Sequence, residues 1–245
     1  MQMTPPFGYK EIGPLNKNQK VRLLKPGELP DFARDLNAIP ISYTEFPLIA
    51  RDYPIVFVTG DEGKTYAPMA VLGMAAGENL FRDGDKWADN VYVPAYARRY
   101  PFCMAKVTLD KVEQQNRLIC VEKSYLDDKG EAMFDTSGQP NDKWKQIEKL
   151  LTEYEVDLER SREMCGILAD YGLLEPFNMQ AKFNSGAEPV HLTGMQRIAE
   201  AKIEHLNASQ LKNLVKKGVL SRVYVHLLSL SNFTRLLDRK AAKAA

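Results

Sequence analysis

No apolar run in this sequence approaches the ~20 residues that a membrane-spanning helix requires. A permease role and any membrane span are excluded on that ground. Met1 to Tyr9 lack the basic start and apolar stretch of a secretion signal, so a cytoplasmic location is expected. Cysteine is scarce, with Cys103, Cys120 and Cys165 as the whole complement. The number is odd and no Cys-x-x-Cys spacing occurs. Cys103 and Cys120 fall in alternating apolar runs and Cys165 on a helical apolar stripe, which predicts buried free thiols suited to a reducing compartment. Net charge is nearly absent, +1 over 245 residues. Nucleic-acid binders carry a basic surplus to neutralise phosphates, and without one no nucleic-acid partner is expected.

The usual signatures of catalysis are also missing. Only three histidines occur, His191, His205 and His226, and none has a second ligand type at a helical spacing that would form a metal site. Glu155, Glu159 and Glu163 share one helix face, but the Glu-x-x-His pairs of carboxylate-bridged iron sites are absent. A solvated face paired with Lys and Arg is the reading. Neither metal nor cofactor is expected. There is no Gly-x-Ser-x-Gly elbow. Gly60-Asp61-Glu62-Gly63-Lys64-Thr65 resembles a phosphate loop only superficially: Val58 stands where its first glycine belongs, and Tyr66-Ala67-Pro68 follow where a helix must begin. A hairpin turn fits better. Gln210 to Ser229 has the layout of a helix-turn-helix with Gly218 in the turn, yet its second helix offers mostly apolar groups where base edges demand polar ones. A core helical hairpin is predicted instead.

What is present is ordinary globular material, 44% hydrophobic and 27% charged residues, enough for a core. Residues 1–20, rich in Pro, Gly, Asn and Lys, read as an extended arm. Short strands are predicted at Val21 to Leu24 and Ile39 to Ile41. Ser42 and Glu45 form a capping-box pair, with Pro47 acceptable only in a first helical turn. Ile55 to Thr59 and Ala67 to Met74 read as a hairpin across Gly60 to Lys64. Asn79 to Phe81, closed by the turn at Asp83-Gly84-Asp85, pairs next to it. A second hairpin joins Phe102 to Leu109 with Arg117 to Val121, turning near Asn116, and a short strand is expected at Met133-Phe134. From Asn141 the period lengthens: Trp144, Ile147, Leu151, Tyr154, Leu158, Cys165 and Leu168 recur at gaps of three and four, with Ser161 the one interruption. This is one long amphipathic helix, or two broken near Gly166, stopping at Gly172. Pro176 to Gly194 reads as irregular and Met195 to Ile198 as a last strand. Asn207 caps a helix over Ala208 to Lys217, and Ser221 caps a final one to about Leu237. Strands first and helices later argue for an α+β fold with antiparallel hairpins rather than alternating βαβ units. The expected organisation is an arm at 1–20, one domain at 21–237 (strand-rich 21–135, helical 141–237) and a frayed tail at 238–245.

The densest local chemistry runs from Trp87 to Phe102: Trp87, Tyr92, Pro94, Tyr96, Arg98, Arg99, Tyr100 and Pro101. Arginine supplies a planar fork of donors and tyrosine a stacking face with a hydroxyl tip. Together they suit a carboxylate or phosphate, or a protein or peptide partner. The bland alternative packs the tyrosines beneath the sheet and spends the arginines on structural ion pairs. Trp87, Tyr92, Tyr96, Arg98, Arg99 and Tyr100 are the candidate ligand-binding residues.

The run Gly77-Glu78-Asn79-Leu80-Phe81, then Trp87, then Tyr92-Val93-Pro94-Ala95-Tyr96 and Arg98-Arg99-Tyr100-Pro101-Phe102, resembles the SapC-like family of bacterial proteins. Lys216-Lys217-Gly218-Val219-Leu220 and Tyr224-Val225-His226-Leu227-Leu228-Ser229-Leu230 agree, and the resemblance extends from about Tyr43 to Leu237. Ala97 stands where the family typically has an aliphatic residue. The resemblance implies no catalytic residues. It implies a link by name to surface layers, and a peptide-transporter label that this sequence contradicts. The leading expectation is therefore an accessory binding protein for a peptide, protein or small anionic ligand. An enzyme on an amino-acid or other carboxylate substrate, with a tyrosine or His226 as acid or base, and a surface-layer structural component are the alternatives.

Overall fold

Alternating apolar residues make strands and a three-to-four period makes helices, and both signals are realised in this α+β protein. The computed structural model describes residues 2–60, 63–109, 112–113, 117–181 and 190–244. In chain order the strands are β1 (Gln2–Met3), β2 (Ile12–Pro14), β3 (Lys20–Val21), β4 (Ala38–Pro40), β5 (Ile55–Gly60), β6 (Thr65–Val71), β7 (Arg82–Asp83), β8 (Lys86–Trp87), β9 (Phe102–Ala105), β10 (Val107–Leu109), β11 (Val112–Glu113), β12 (Leu118–Glu122), β13 (Glu131–Ala132), β14 (Leu174–Ala181) and β15 (Val190–Ile198). The α-helices are α1 (Phe46–Ile49), α2 (Ala95–Arg98), α3 (Asp142–Asp170), α4 (Ala208–Lys216), α5 (Val219–Ser229) and α6 (Asn232–Ala244). The strands lie mainly in the N-terminal part and the long helices in the C-terminal part. Among the described residues no helix is long and apolar enough to cross a membrane. The chain divides into two units, Met1–Ala33 with Tyr96–Val156, and Arg34–Ala95 with Asp157–Ala245.

The first unit is built on the antiparallel sheet β2-β12-β9. Its β9–β12 pair is the second expected hairpin, in register Phe102↔Val121 and Cys103↔Cys120; Asn116 lies outside the described residues. β2 comes from the segment expected as a bare arm, and pairs Ile12 with Glu122. Tyr9, Phe102, Cys103, Cys120, Val121, Tyr125, Met133, Trp144 and Leu151 form the core. The Trp144 ring meets Phe102 edge-on at 5.5 Å, a favoured aromatic arrangement. Met133 is fully buried, although the strand beside it is Glu131–Ala132 rather than Met133-Phe134.

The second unit is built on the antiparallel sheet β14-β15-β5-β6-β4. The β5–β6 hairpin is as expected, Gly60 facing Thr65, with Asp61 and Glu62 outside the described residues. The stretch from Pro176 reads as irregular because Pro176 and Gly194 look like breakers. Instead β14 and β15 pair from Leu174↔Ile198 to Ala181↔Val190, and residues 182–189 are not described. Pro176 is tolerated because β14 is an edge strand. Gly194, at φ 77°, lies where the register shifts between Phe177 and Met179, the conformation a glycine bulge requires. Asn79 to Phe81 forms no strand; the small ribbon is β7–β8, joined at Gly84.

The helices follow the sequence more closely. α3 is one helix of 29 residues with no break at Gly166. Ser161 sits on its buried stripe because its hydroxyl donates to the Asp157 carbonyl at 2.8 Å, which satisfies the only polar group it carries inward. Leu173 N–H donates back to the Leu168 carbonyl just past Gly172, closing the helix as expected. Ser42 N–H and hydroxyl both donate to Glu45 Oε2, at 2.9 and 2.8 Å, and Pro47 falls in the first turn of α1. Asn207 caps α4 by accepting from Gln210 N–H. The final helix differs. Its cap is Gly218, not Ser221, and it breaks after Ser229. Tertiary bonds make the break: Ser229 Oγ accepts from Ile55 N–H, and the buried Asn232 amide donates to the Ala50 and Tyr53 carbonyls. Residues 238–244 continue α6, where Lys240 pairs with Glu78 at 2.6 Å.

Gly218 joins α4 to α5 at φ 70°, and a Cβ there would stand 2.6 Å from the Tyr43 hydroxyl, which itself donates to the Lys217 carbonyl. Gly218→Ala is expected to cost about 2 kcal/mol, combining the left-handed backbone penalty with the clash. Urea unfolding measures it; an unchanged midpoint would show that the hairpin does not need a glycine here.

Candidate functional site

Adjacent residues on a helical turn point about 100° apart, so Arg98 and Arg99 cannot face the same way. At the end of α2, Arg98 is exposed and Arg99 is 4% exposed. The Arg99 guanidinium lies 4.2 Å from the Tyr96 ring centroid, 4.6 Å from that of Tyr154 and 5.7 Å from that of Tyr9. Its Nη1 is 3.8 Å from Glu155 Oε1, and Arg117 pairs with the other oxygen of Glu155. Stacked aromatic faces stabilise a desolvated guanidinium by about 2 kcal/mol or more, so this cage offsets much of the cost of burying the charge. Burial works against that charge, the facing tyrosines Tyr9, Tyr154 and Tyr96 work for it, and the net places the guanidinium above its ordinary pKa. Tyr9 and Tyr96 are pushed up by burial, against the pull of Arg99, so both stay neutral. Their hydroxyls donate to the Phe102 and Phe7 carbonyls, each at 2.6 Å. Tyr100 packs at 5.0 Å from Tyr9 and edge-on at 4.9 Å from Tyr125. Among the described groups, Arg99 Nε–H is buried without a hydrogen-bond partner.

Beside this cage opens a cleft of about 260 Å³, within the first unit. Arg98, Arg99, Tyr100, Lys143 and Gln146 supply its polar lining, and Leu23, Leu24, Phe102, Ile147 and Leu150 its apolar lining. No carboxylate is among these residues. Lys143 pairs with Glu131, and both are half exposed, a contact worth little in water.

Trp87 and Tyr92 belong to the second unit and take structural roles there. Trp87 Nε1–H donates to the Tyr53 hydroxyl at 2.7 Å, and that hydroxyl donates to the Tyr92 carbonyl at 2.7 Å. The Tyr92 hydroxyl donates to Glu45 Oε1 at 3.1 Å, and Ala95 N–H to the same oxygen at 2.5 Å. With the two bonds from Ser42, the buried Glu45 carboxylate accepts four hydrogen bonds, the partners a polar group needs when taken out of water. The candidate residues thus separate: Tyr96, Arg98, Arg99 and Tyr100 come together in the first unit, while Trp87 and Tyr92 anchor loops in the second.

Tyr9 and Lys143 are not among the candidates the sequence offers, and Glu155 is weighed there only as one of three carboxylates on a helix face. Tyr9 sits in a segment without periodicity, and nothing in the sequence marks it. Tyr154 could have been found, since it lies on the α3 stripe next to a carboxylate. Of the three glutamates expected on a solvated face, Glu159 and Glu163 are exposed and pair with Arg162 and Lys217, but Glu155 is largely covered. Among the described residues no group of His, Cys, Asp and Glu is placed to hold a metal ion. The three cysteines are free and buried, and burial pushes Cys103 and Cys165 up to about 12.

His226 is fully buried, and its Nε2 accepts from Ile198 N–H at 3.1 Å. Burial lowers its pKa to about 4; the Ile55 main chain opposes the shift and Arg197 adds to it. This histidine is a core group rather than an acid or base open to substrate. Above pH ~6.5 it is neutral folded and unfolded. As the pH falls from there to about 4, the unfolded chain takes a proton that the folded chain refuses, and stability falls by about 3 kcal/mol. Unfolding measured from pH 7.5 to 4 is expected to show this slope, and His226→Gln to flatten it; an equal slope in the variant would assign the pH dependence elsewhere.

A family model described as SapC matches residues 16–236. No curated protein and no solved structure matches the chain.

Proposed function

The chain belongs to the SapC family, and from the chemistry of its cleft we propose that it is an accessory binding protein for a small anion with an apolar body, or for the acidic end of a peptide. One observation carries this reading: Arg98, Arg99 and Lys143 line one cleft with five apolar residues and no carboxylate. A carboxylate or phosphate accepts from the guanidinium forks, and an alkyl or side-chain body lies on Leu23, Leu24, Ile147 and Leu150. Arg99 is pre-positioned by its tyrosine cage, so little side-chain entropy is lost on binding. Arg98, exposed, is the adjustable partner. An enzyme on a carboxylate substrate would hold it in the same way, and conversion of a bound probe to a new species would move the reading from binding to turnover.

Calorimetric titration with straight-chain carboxylates of increasing length, and with the matching alcohols, tests the reading. Carboxylates are expected to bind, each methylene adding up to about fourfold in affinity, and alcohols to bind far more weakly. Arg98→Ala with Lys143→Ala should fold normally, because both side chains are exposed, and should weaken binding about tenfold or more. Equal affinity for acids and alcohols, or an unaffected double variant, would rule the anion site out.

A further inference from the structure

Sheet β14-β15-β5-β6-β4 stops halfway along one of its strands. β4 pairs only with Met69–Val71 of β6, and Ile41 N–H adds a last bond to the Pro68 carbonyl at 3.2 Å. The chain then leaves the sheet at Ser42, where the capping box starts the turn Tyr43–Glu45. Antiparallel pairing alternates the direction of main-chain groups. Val71 N–H points to β5, donating to the Pro54 carbonyl, so the odd-numbered residues of β6 face β5 and the even-numbered ones face β4. Tyr66 is the next even-numbered residue beyond Pro68. Its N–H and C=O therefore face the side on which, among the described residues, no strand lies. Residues Thr65 and Ala67 on either side are exposed.

The space beside this edge is a groove, not open solvent. Two adjoining cavities, of about 380 and about 180 Å³, share Thr65, Tyr66 and Arg162. Their far wall is the C-terminal half of α3, including Leu158, Cys165 and Gly166. A Cβ built on Gly166 meets nothing within 4 Å. Lys64 lines the smaller cavity, and Arg162, which pairs with exposed Glu159, lines both. All of these residues belong to the second unit.

We propose that this groove takes an extended peptide segment carrying a carboxylate, which adds a strand to the free edge of β6. The peptide main chain exchanges an N–H···O=C pair with Tyr66, the way an exposed sheet edge recruits a partner strand. Strands pair at ~4.8 Å, and the combined cavities have the size of sites that hold a few residues. The apolar wall receives alternate side chains. Lys64 and Arg162 receive the carboxylate, either a C-terminus or an acidic side chain. This site is distinct in residues and in ligand geometry from the arginine cleft.

The test is a random octapeptide display library selected on the full chain and counter-selected on Gly166→Leu, which puts a side chain into the groove while raising helix propensity. Enriched sequences are then measured as labelled peptides by fluorescence polarisation. β-Branched residues at alternate positions and a carboxylate near one end are expected. Gly166→Leu should weaken these peptides about tenfold or more with an unchanged or higher unfolding midpoint. N-methylation of the one amide that faces Tyr66 should cost about tenfold, the loss of one hydrogen bond. Amidating a C-terminal carboxylate, or replacing an acidic side chain, separates the two sources of charge. No enrichment over the Gly166→Leu control, equal binding to that variant, or affinity unmoved by N-methylation at every position would each overturn the proposal.

Discussion

A buried ionisable group must be met by partners, and in each unit of this chain such a group organises the residues around it. In the second unit it is Glu45. Four donors converge on its carboxylate, two from Ser42 at the start of a helical turn and two from Tyr92 and Ala95, some fifty residues further on. Losing that carboxylate would leave several buried donors unpaired at about 1–3 kcal/mol each. In the first unit it is Arg99, met by three tyrosine faces and a shared glutamate. Tyr92 and Tyr96 of the Trp87–Phe102 stretch are partners of these two groups.

This accounts for the division of labour within a block that looks uniform in sequence. Trp87 and Tyr92 spend their polar atoms on Tyr53 and Glu45. The Tyr96 hydroxyl donates to the Phe7 carbonyl while its ring faces Arg99, and the Tyr100 ring packs on Tyr9. Of the six candidate residues in the block, only Arg98 is exposed to solvent. The bland reading of the block, tyrosines packed inside and arginines in ion pairs, describes most of it. What it does not describe is the cleft beside Arg99, where fixed and adjustable cations meet an apolar lining.

The second unit shows a different kind of incompleteness. A sheet normally hides its edges with short strands, proline or covering elements. Here Pro68 and the early departure of the chain at Ser42 end the pairing, and α3 stands off from Tyr66 far enough to leave a groove. The small Gly166 on the facing helix leaves that space open. Packing alone would favour a larger residue at such a position.

Periodicity and local signals determined much of the architecture by themselves: the α+β class, the two hairpins, the long helical stretch with its stop at Gly172, the capping pair Ser42–Glu45 and the cap Asn207, because each depends on residues near in sequence. Family membership was equally legible, in blocks of contiguous residues. The tertiary structure decided what depends on distant partners. It made strands of the stretches on either side of residues 182–189, because an edge position accepts Pro176 and a bulge uses Gly194. It broke the last helix, because Asn232 bonds to the Ala50 and Tyr53 carbonyls. It drew Tyr9 from an apparently idle arm into the core, buried His226, and chose between two neighbouring arginines, sending Arg98 to solvent and Arg99 inward. No local pattern could make that last choice, since it turns on Tyr9 and Tyr154, which only folding brings to the same guanidinium.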